Sequence, residues 1–554
     1  MPLTRLTAEQ AVDNRKHNPF TYWGSRSGAN RVEPVARPDF RATFQLTRGE
    51  SIFTIGSCFA RNVEDALEAQ GFHIPVREAM KRPVFAGLSS TVLNNYGTPS
   101  IFNELSWAFD PARPFVPTDH LLEVKPGQFV DIHLPPTIPP ADWNTVLERR
   151  LAVRSLMQMV ASCRVVVITL GLAEVWYDTV TGYYLNDTPR PSLLRVYPGR
   201  FELHVLSFEE AHDYLEKGLQ LLRAHARPDV RVILTVSPVP LAATHRPMDV
   251  MVANTYSKSV LRAVADTVCC RHEWIDYFPS YESIMLSDRL VTWEADLIHV
   301  TRDVVEMNVG RMLESYLPGG DVDDELTRID QGGRLRAEGR AAEAVERGGT
   351  YAEQFFTRLG HWSQQSSVFA LSHARHLHRA GRHAEALEVL AGVPEHFDPL
   401  AVGLVRAEAA LGLNRPADAI AALTPLVHRS LRSQNTWELL VRAHAQNGDT
   451  EGAIAATHQY LAAMSYNRAW AFLNLARALR ESDPPRAAYF FESIVDDFLD
   501  SDPWLQWEIV EFLAGQRRFE AARTLIARIK PPNEDLGERV AILKTLLQQG
   551  DRAR

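Results

Sequence analysis

Three continuous apolar runs constrain this chain more than any other feature: SIFTIG (51–56), RVVVITLG (164–171) and RVILTVSP (231–238). None alternates apolar with polar residues, so none has a face for water, and a strand buried on both sides needs a covering layer above and below. The covering layers are present in the sequence. In FEEAHDYLEKGLQLLRAHA, Ala211, Leu215, Leu219 and Leu222 recur at helical spacing. This alternation predicts an α/β domain with a mainly parallel sheet and right-handed crossovers over residues 46–318, with residues 1–45 as an extension packed on it.

From about Leu335 the pattern is helical alone, and the Gly- and Asp-rich stretch at 319–334 reads as a linker. The remaining residues, 335–554, repeat. Ala386, Ala419, Ala453, Ala487 and Ala521 stand at intervals of 33, 34, 34 and 34 residues, and Gly381 and Gly448 each precede such an alanine by five. Ala374 and Ala407 lie twelve residues before their partners, and Trp437 sits early in its helix. Small residues at this spacing let paired antiparallel helices approach closely, and the pattern resembles the tetratricopeptide repeat, which implies an all-α solenoid. The match weakens at ESDPPRAAYFF, where prolines occupy the turn, as befits a repeat near the end of a stack.

At 554 residues, with 45% hydrophobic and 23% charged residues, the chain is long enough for two or three cored domains. A net charge of −9 argues against a general nucleic-acid binder, which needs a basic surface to neutralise phosphates. No run has the length of a bilayer span, the first twenty residues lack the apolar core of a secretory leader, and the four cysteines (Cys58, Cys163, Cys269, Cys270) form no CxxC spacing. A cytoplasmic protein without membrane span, metal or cofactor is the expectation.

The first strand breaks off at Gly56 and a helix begins directly after Ser57, which sets one hydroxyl at a helix N-terminus, where the dipole favours developing negative charge. Late in the same domain, EADLIHVTRDVVEMNV holds Asp296 and His299 three apart, so that a carboxylate can orient an imidazole and leave its other nitrogen for a serine. A nucleophile after the first strand and an Asp–His pair before the last helix is the order of the SGNH (GDSL-like) hydrolases, to which this half is similar. GSCFA at 56–60 is the naming motif of the GSCFA family, and TLGLAEVW, LTVSPVPLAAT, NTYSKSVLRA and YFPSYES resemble that family's blocks.

The resemblance implies an SGNH-like three-layer sandwich with Ser57 as nucleophile and oxyanion donor, His299 as general base, Asp296 as its orienting partner and Gly97 as a second oxyanion donor. It departs at GLAE (171–174), where the superfamily supplies an asparagine. An ionised Glu174 accepts hydrogen bonds only, so it must be protonated, bind a substrate hydroxyl or serve another mechanism. Trp176 and Asn254 are candidate substrate contacts beside Glu174; Trp176 can stack on a sugar and Asn254 can equally cap a helix. Cys58 is a rival nucleophile if the helix N-terminus lowers its pKa. The expected activity is a serine-dependent esterase or O-acyltransferase acting on an acylated carbohydrate or similar small polar ester, with the repeats recruiting a protein partner or carrier. The alternative is a degenerate hydrolase fold that works as a binding module.

Overall fold

The computed structural model describes residues 2–23, 31–317, 322–394, 396–427, 433–463, 468–499 and 501–549. The chain divides into two compact units, the first reaching Gly339 and the second beginning at Arg340. Among the described residues of the first unit nine strands follow in chain order: β1 (Ile52–Gly56), β2 (Leu121–Lys125), β3 (Gln128–Asp131), β4 (Val165–Leu170), β5 (Glu174–Asp178), β6 (Tyr183–Tyr184), β7 (Phe201–Val205), β8 (Arg231–Val236) and β9 (Ile275–Tyr277). The three apolar runs become β1, β4 and β8, which pair in parallel, with β9 added at the far edge in the order β1-β4-β8-β9. All five residues of β1 and all six of β4 are buried, as continuous apolar runs require. The helix Phe208–His225 buries Ala211, Leu215, Leu219 and Leu222, the residues its periodicity selects.

Two small antiparallel sheets, β2-β3 and β6-β5-β7, accompany the parallel one. The run VVVITLGLAEVW is therefore two strands: β4 ends at Leu170, and the chain turns through Gly171 and Leu172, whose amides both donate to the Tyr96 carbonyl (3.0 and 2.9 Å), before β5 begins. The β2-β3 hairpin is tied down by a buried ion triad, Arg150 donating from Nε to Asp131 (2.6 Å) and from Nη1 to both oxygens of Glu104 (2.8 Å). The N-terminal extension packs only in part. Val35 enters the core, Phe40 and Phe44 pack against it and Thr43 bonds Asp276, whereas the helix Ala8–His17 buries no residue.

The segment read as a linker contains the helix Val322–Gln331, whose periodic Leu326 and Ile329 are buried; its glycines and aspartates conceal an amphipathic face. Among the described residues of the second unit five helix hairpins follow one another, from Ser367–Arg379 with His383–Ala391 to Pro503–Gly515 with Phe519–Ile526. Ala386, Ala419, Ala453 and Ala487 are fully buried where paired helices meet. The fifth buried position is Ala522, and Ala521 is only partly buried. The turn geometry explains the shift: Gly381, Asn414, Gly448 and Arg517 all adopt left-handed backbone, each five residues before a buried alanine. No described helix is long and apolar enough to cross a membrane.

Gly56 is the position where parallel pairing is tightest. Its φ is 150°, and a Cβ there would stand 2.6 Å from the Thr169 carbonyl oxygen and still closer to the Thr169 hydroxyl. Gly56→Ala is expected to lower unfolding stability by roughly 2–4 kcal/mol, since neither backbone can yield without breaking the strand register. Urea unfolding of the two proteins checks this, and an unchanged midpoint contradicts it.

Candidate active site

The parallel register decides which side chains meet. Gly56 pairs with Thr169 and Thr169 with Thr235, so β1, β4 and β8 end at one level. The residues that follow, Ser57, Gly171 and Ser237, open on a common cavity of about 400 Å³ at the carboxyl edge of the sheet, the usual place for a ligand in an open α/β sheet. Cys58, Tyr96, Trp176, Asp187, His245 and His299 also line it.

Ser57 caps the helix Cys58–Ala69. Its backbone is extended, its Oγ accepts from the Phe59 amide (3.3 Å), and its own amide donates to Thr169 Oγ1 (3.2 Å). The Ser57 hydroxyl is 3.1 Å from that of Ser237. Both serines are almost wholly buried. Beside Ser57, burial pushes the Cys58 thiol up, which is opposite to the shift that activates a cysteine.

His299 stands at the exposed side of the cavity, its side chain 58% accessible. Its Nδ1 is 2.6 Å from Asp296 Oδ2, while Asp296 Oδ1 accepts from the amides of Ile298 (2.9 Å) and His299 (3.0 Å). These bonds hold the Asp296 carboxyl down at about 2, so it stays ionised throughout the working range of a histidine base. Leu297, in the left-handed region at φ 58°, makes the turn that directs both amides to one oxygen. Ser57 and His299 thus line one cavity, with Asp296 bonded to His299 behind it, while the Ser57 hydroxyl bonds Ser237 and not the imidazole.

Other expected site residues are distributed differently. Gly97 is absent from the cavity wall: its amide donates to Ser100 Oγ (3.3 Å), and it caps the helix Thr98–Phe109. Asn254 does not line the cavity either, because its Oδ1 accepts from the Leu241 amide (3.1 Å) and so anchors the loop after β8. Glu174 and Trp176, successive inward residues of β5, do line it. The Glu174 carboxylate accepts from Thr244 Oγ1 (2.7 Å) and the His245 amide (3.4 Å), and the Trp176 ring meets His245 edge-on at 5.1 Å. Glu174 is thereby an acceptor that holds the 238–246 loop over the cavity.

Two residues escaped the sequence reading, and a third, expected there as a substrate contact, has another task. Ser237 stands in the LTVSPVPLAAT block, where a serine before proline at a strand end reads as turn chemistry. Asp187, whose carboxyl burial pushes up, lines the cavity and accepts from the Thr188 amide. Lys258, which the NTYSK block offers beside Asn254 as a substrate contact, does not line the cavity: it is fully buried and donates to the Gly171 carbonyl at 2.8 Å.

Burial pulls the Lys258 ammonium from its ordinary 10.5 down to about 7. Between these values the unfolded chain binds the extra proton, so this lysine makes folding more favourable as pH rises from 7 to 10. The stability of the native protein relative to Lys258→Met is expected to rise over that interval by an amount on the order of a few kcal/mol. Paired denaturant titrations at several pH values check it, and a constant difference contradicts it.

No curated protein matches the chain. Residues 51–311, from the first strand to the helix after the Asp296–His299 turn, match the model of the GSCFA family, so the chain carries a GSCFA family domain.

Proposed function

We propose that the GSCFA domain is a serine-dependent esterase or O-acyltransferase of SGNH-like architecture, working through an acyl-enzyme on Ser57. The observation that carries this reading is the shared cavity: a hydroxyl at a helix N-terminus and a carboxylate-tethered imidazole line one open cavity, although 242 positions separate Ser57 from His299 in the chain. Ser57 Oγ attacks the ester carbonyl carbon as its proton passes to His299 Nε2. Asp296 receives the Nδ1–H bond and stabilises the imidazolium. The tetrahedral adduct expels the alcohol, which takes the proton from His299, and water or an acceptor hydroxyl then releases the acyl group by the same steps reversed.

Cavity chemistry supports a neutral, hydroxyl-rich substrate such as an acylated carbohydrate. Two carboxylates, Glu174 and Asp187, line the cavity together with Trp176, and no lysine or arginine is among the described lining residues. An anionic ligand would meet like charge there, whereas hydroxyl donors and a sugar face find acceptors and an aromatic ring. The helical unit, read as tetratricopeptide-like, recruits a protein partner or carrier to the enzyme.

One observation favours the second reading, a degenerate binding module: the Ser57 hydroxyl is bonded to Ser237 and not to a base. A fluorophosphonate probe followed by intact-mass measurement separates the two. The esterase reading predicts one adduct on the native protein, retained by Cys58→Ala and abolished by Ser57→Ala. Native protein that remains unmodified, or a Ser57→Ala variant that still reacts, contradicts it.

A further inference from the structure

Around Ser57 the obvious oxyanion donors are already engaged. The Gly97 amide is bonded to Ser100 Oγ, those of Gly171 and Leu172 to the Tyr96 carbonyl, that of Ala173 to Ser257 Oγ (2.8 Å), and that of Ser57 itself to Thr169 Oγ1. A side-chain amide on the wall, Asn186 Nδ2, donates to the Asn94 carbonyl at 2.6 Å. Glu174 stands where the related hydrolases supply an asparagine, and as a carboxylate engaged with Thr244 and His245 it donates nothing. A tetrahedral intermediate formed on Ser57 needs its negative oxygen met by donors that are oriented before the reaction begins.

We propose that Ser237 fills this role: its hydroxyl is the side-chain oxyanion donor of the Ser57 site, working with the Cys58 amide at the start of the helix. This inference rests on the esterase reading above. Ser237 is 1% exposed, lines the cavity and contacts the nucleophilic oxygen directly at 3.1 Å. Its position is fixed twice over. The Ser237 amide donates to the Leu170 carbonyl (2.7 Å), which continues the β4-β8 ladder one residue past the strand, and Pro238 restricts its backbone to an extended conformation. The Cys58 amide is the first of its helix, one of the N–H groups that an α-helix leaves without an internal acceptor.

In the resting site the Ser57 hydroxyl donates to Ser237 Oγ. When Ser57 Oγ bonds to the carbonyl carbon, the π-electron pair of the C=O moves to its oxygen and the Ser57 proton moves to His299. Ser237 Oγ thereby loses the hydrogen bond it accepted from Ser57, and its own O–H, which keeps its proton, turns to the new oxyanion. On collapse the C=O re-forms, the bond to the leaving alcohol breaks, and the hydroxyl swings back. Such a donor acts on the transition state and scarcely on substrate binding, so its loss falls on kcat and leaves KM nearly unchanged.

The test compares native protein, Ser237→Ala and Ser237→Thr, each confirmed folded by thermal unfolding, in hydrolysis of 4-nitrophenyl acetate and in fluorophosphonate reaction rate. Phosphonylation makes the same demand: the Ser57 Oγ–P bond forms, fluoride departs, and the phosphonyl oxygen occupies the oxyanion position. Ser237→Ala is expected to lower kcat and the phosphonylation rate about 10²–10³-fold with KM within about threefold, while Ser237→Thr, which keeps the hydroxyl, stays within about tenfold of native. Native protein that reacts at Ser57 while Ser237→Ala reacts equally fast overturns this inference alone. Equal losses in the alanine and threonine variants also overturn it, because packing and not the hydroxyl would then be responsible. Native protein that neither reacts nor hydrolyses removes the esterase reading, and this one with it.

Discussion

The close approach of β1 to β4 sets everything else in the first unit. Parallel pairing of Gly56 with Thr169, possible only because position 56 has no side chain, brings the ends of two buried strands to the same height, and β8 continues the register. Whatever follows each strand is then forced onto one edge of the sheet. The Ser57 hydroxyl, the Gly171 turn and the Ser237 hydroxyl meet there as a consequence of hydrogen-bond geometry between strands 112 and 180 residues apart in their contacts with Ser57. The helix that begins at Cys58 adds its amide dipoles to the same spot.

Around that edge the chain uses polar side chains chiefly to hold backbone. Asn254 fixes Leu241, Glu174 fixes Thr244 and His245, Lys258 fixes Gly171, and Asn186 accepts from the Tyr96 amide. Each such bond compensates a buried polar group and at the same time immobilises a segment of cavity wall. The Asp296–His299 turn is the contrasting element. It is local and exposed, held by hydrogen bonds between Asp296 and the Ile298 and His299 amides and the His299 ring, and by the Glu294 backbone.

The parts of this architecture that were legible in the sequence are those where one physical force dominates. Strands buried on both faces have to be apolar throughout, and β1, β4 and β8 announce themselves; the helix Phe208–His225 likewise shows its buried stripe. The short β9, the β2-β3 hairpin and the β5–β7 sheet carry mixed residues whose pairing depends on partners distant in sequence, so local pattern alone does not reveal them. Within the helical unit the alanine spacing is visible, but the displacement from Ala521 to Ala522 follows from a left-handed arginine at 517, a conformation the residue type does not advertise. For the site, Ser57, His299, Glu174 and Trp176 reach the cavity, whereas Gly97 and Asn254 are absorbed by capping and loop support. Ser237 was hidden because its significance is three-dimensional: nothing about a serine before a proline reveals that a second serine lies beside it.

The account stands on one arrangement of atoms about Ser57, and a crystal structure of the phosphonylated protein tests it most directly. The account predicts phosphorus on Ser57 Oγ, the phosphonyl oxygen about 3 Å from both Ser237 Oγ and the Cys58 amide, and the His299 ring turned toward Ser57 Oγ with Asp296 still on its Nδ1. Phosphorus on another residue, or a phosphonyl oxygen directed away from Ser237 and the helix start, contradicts it.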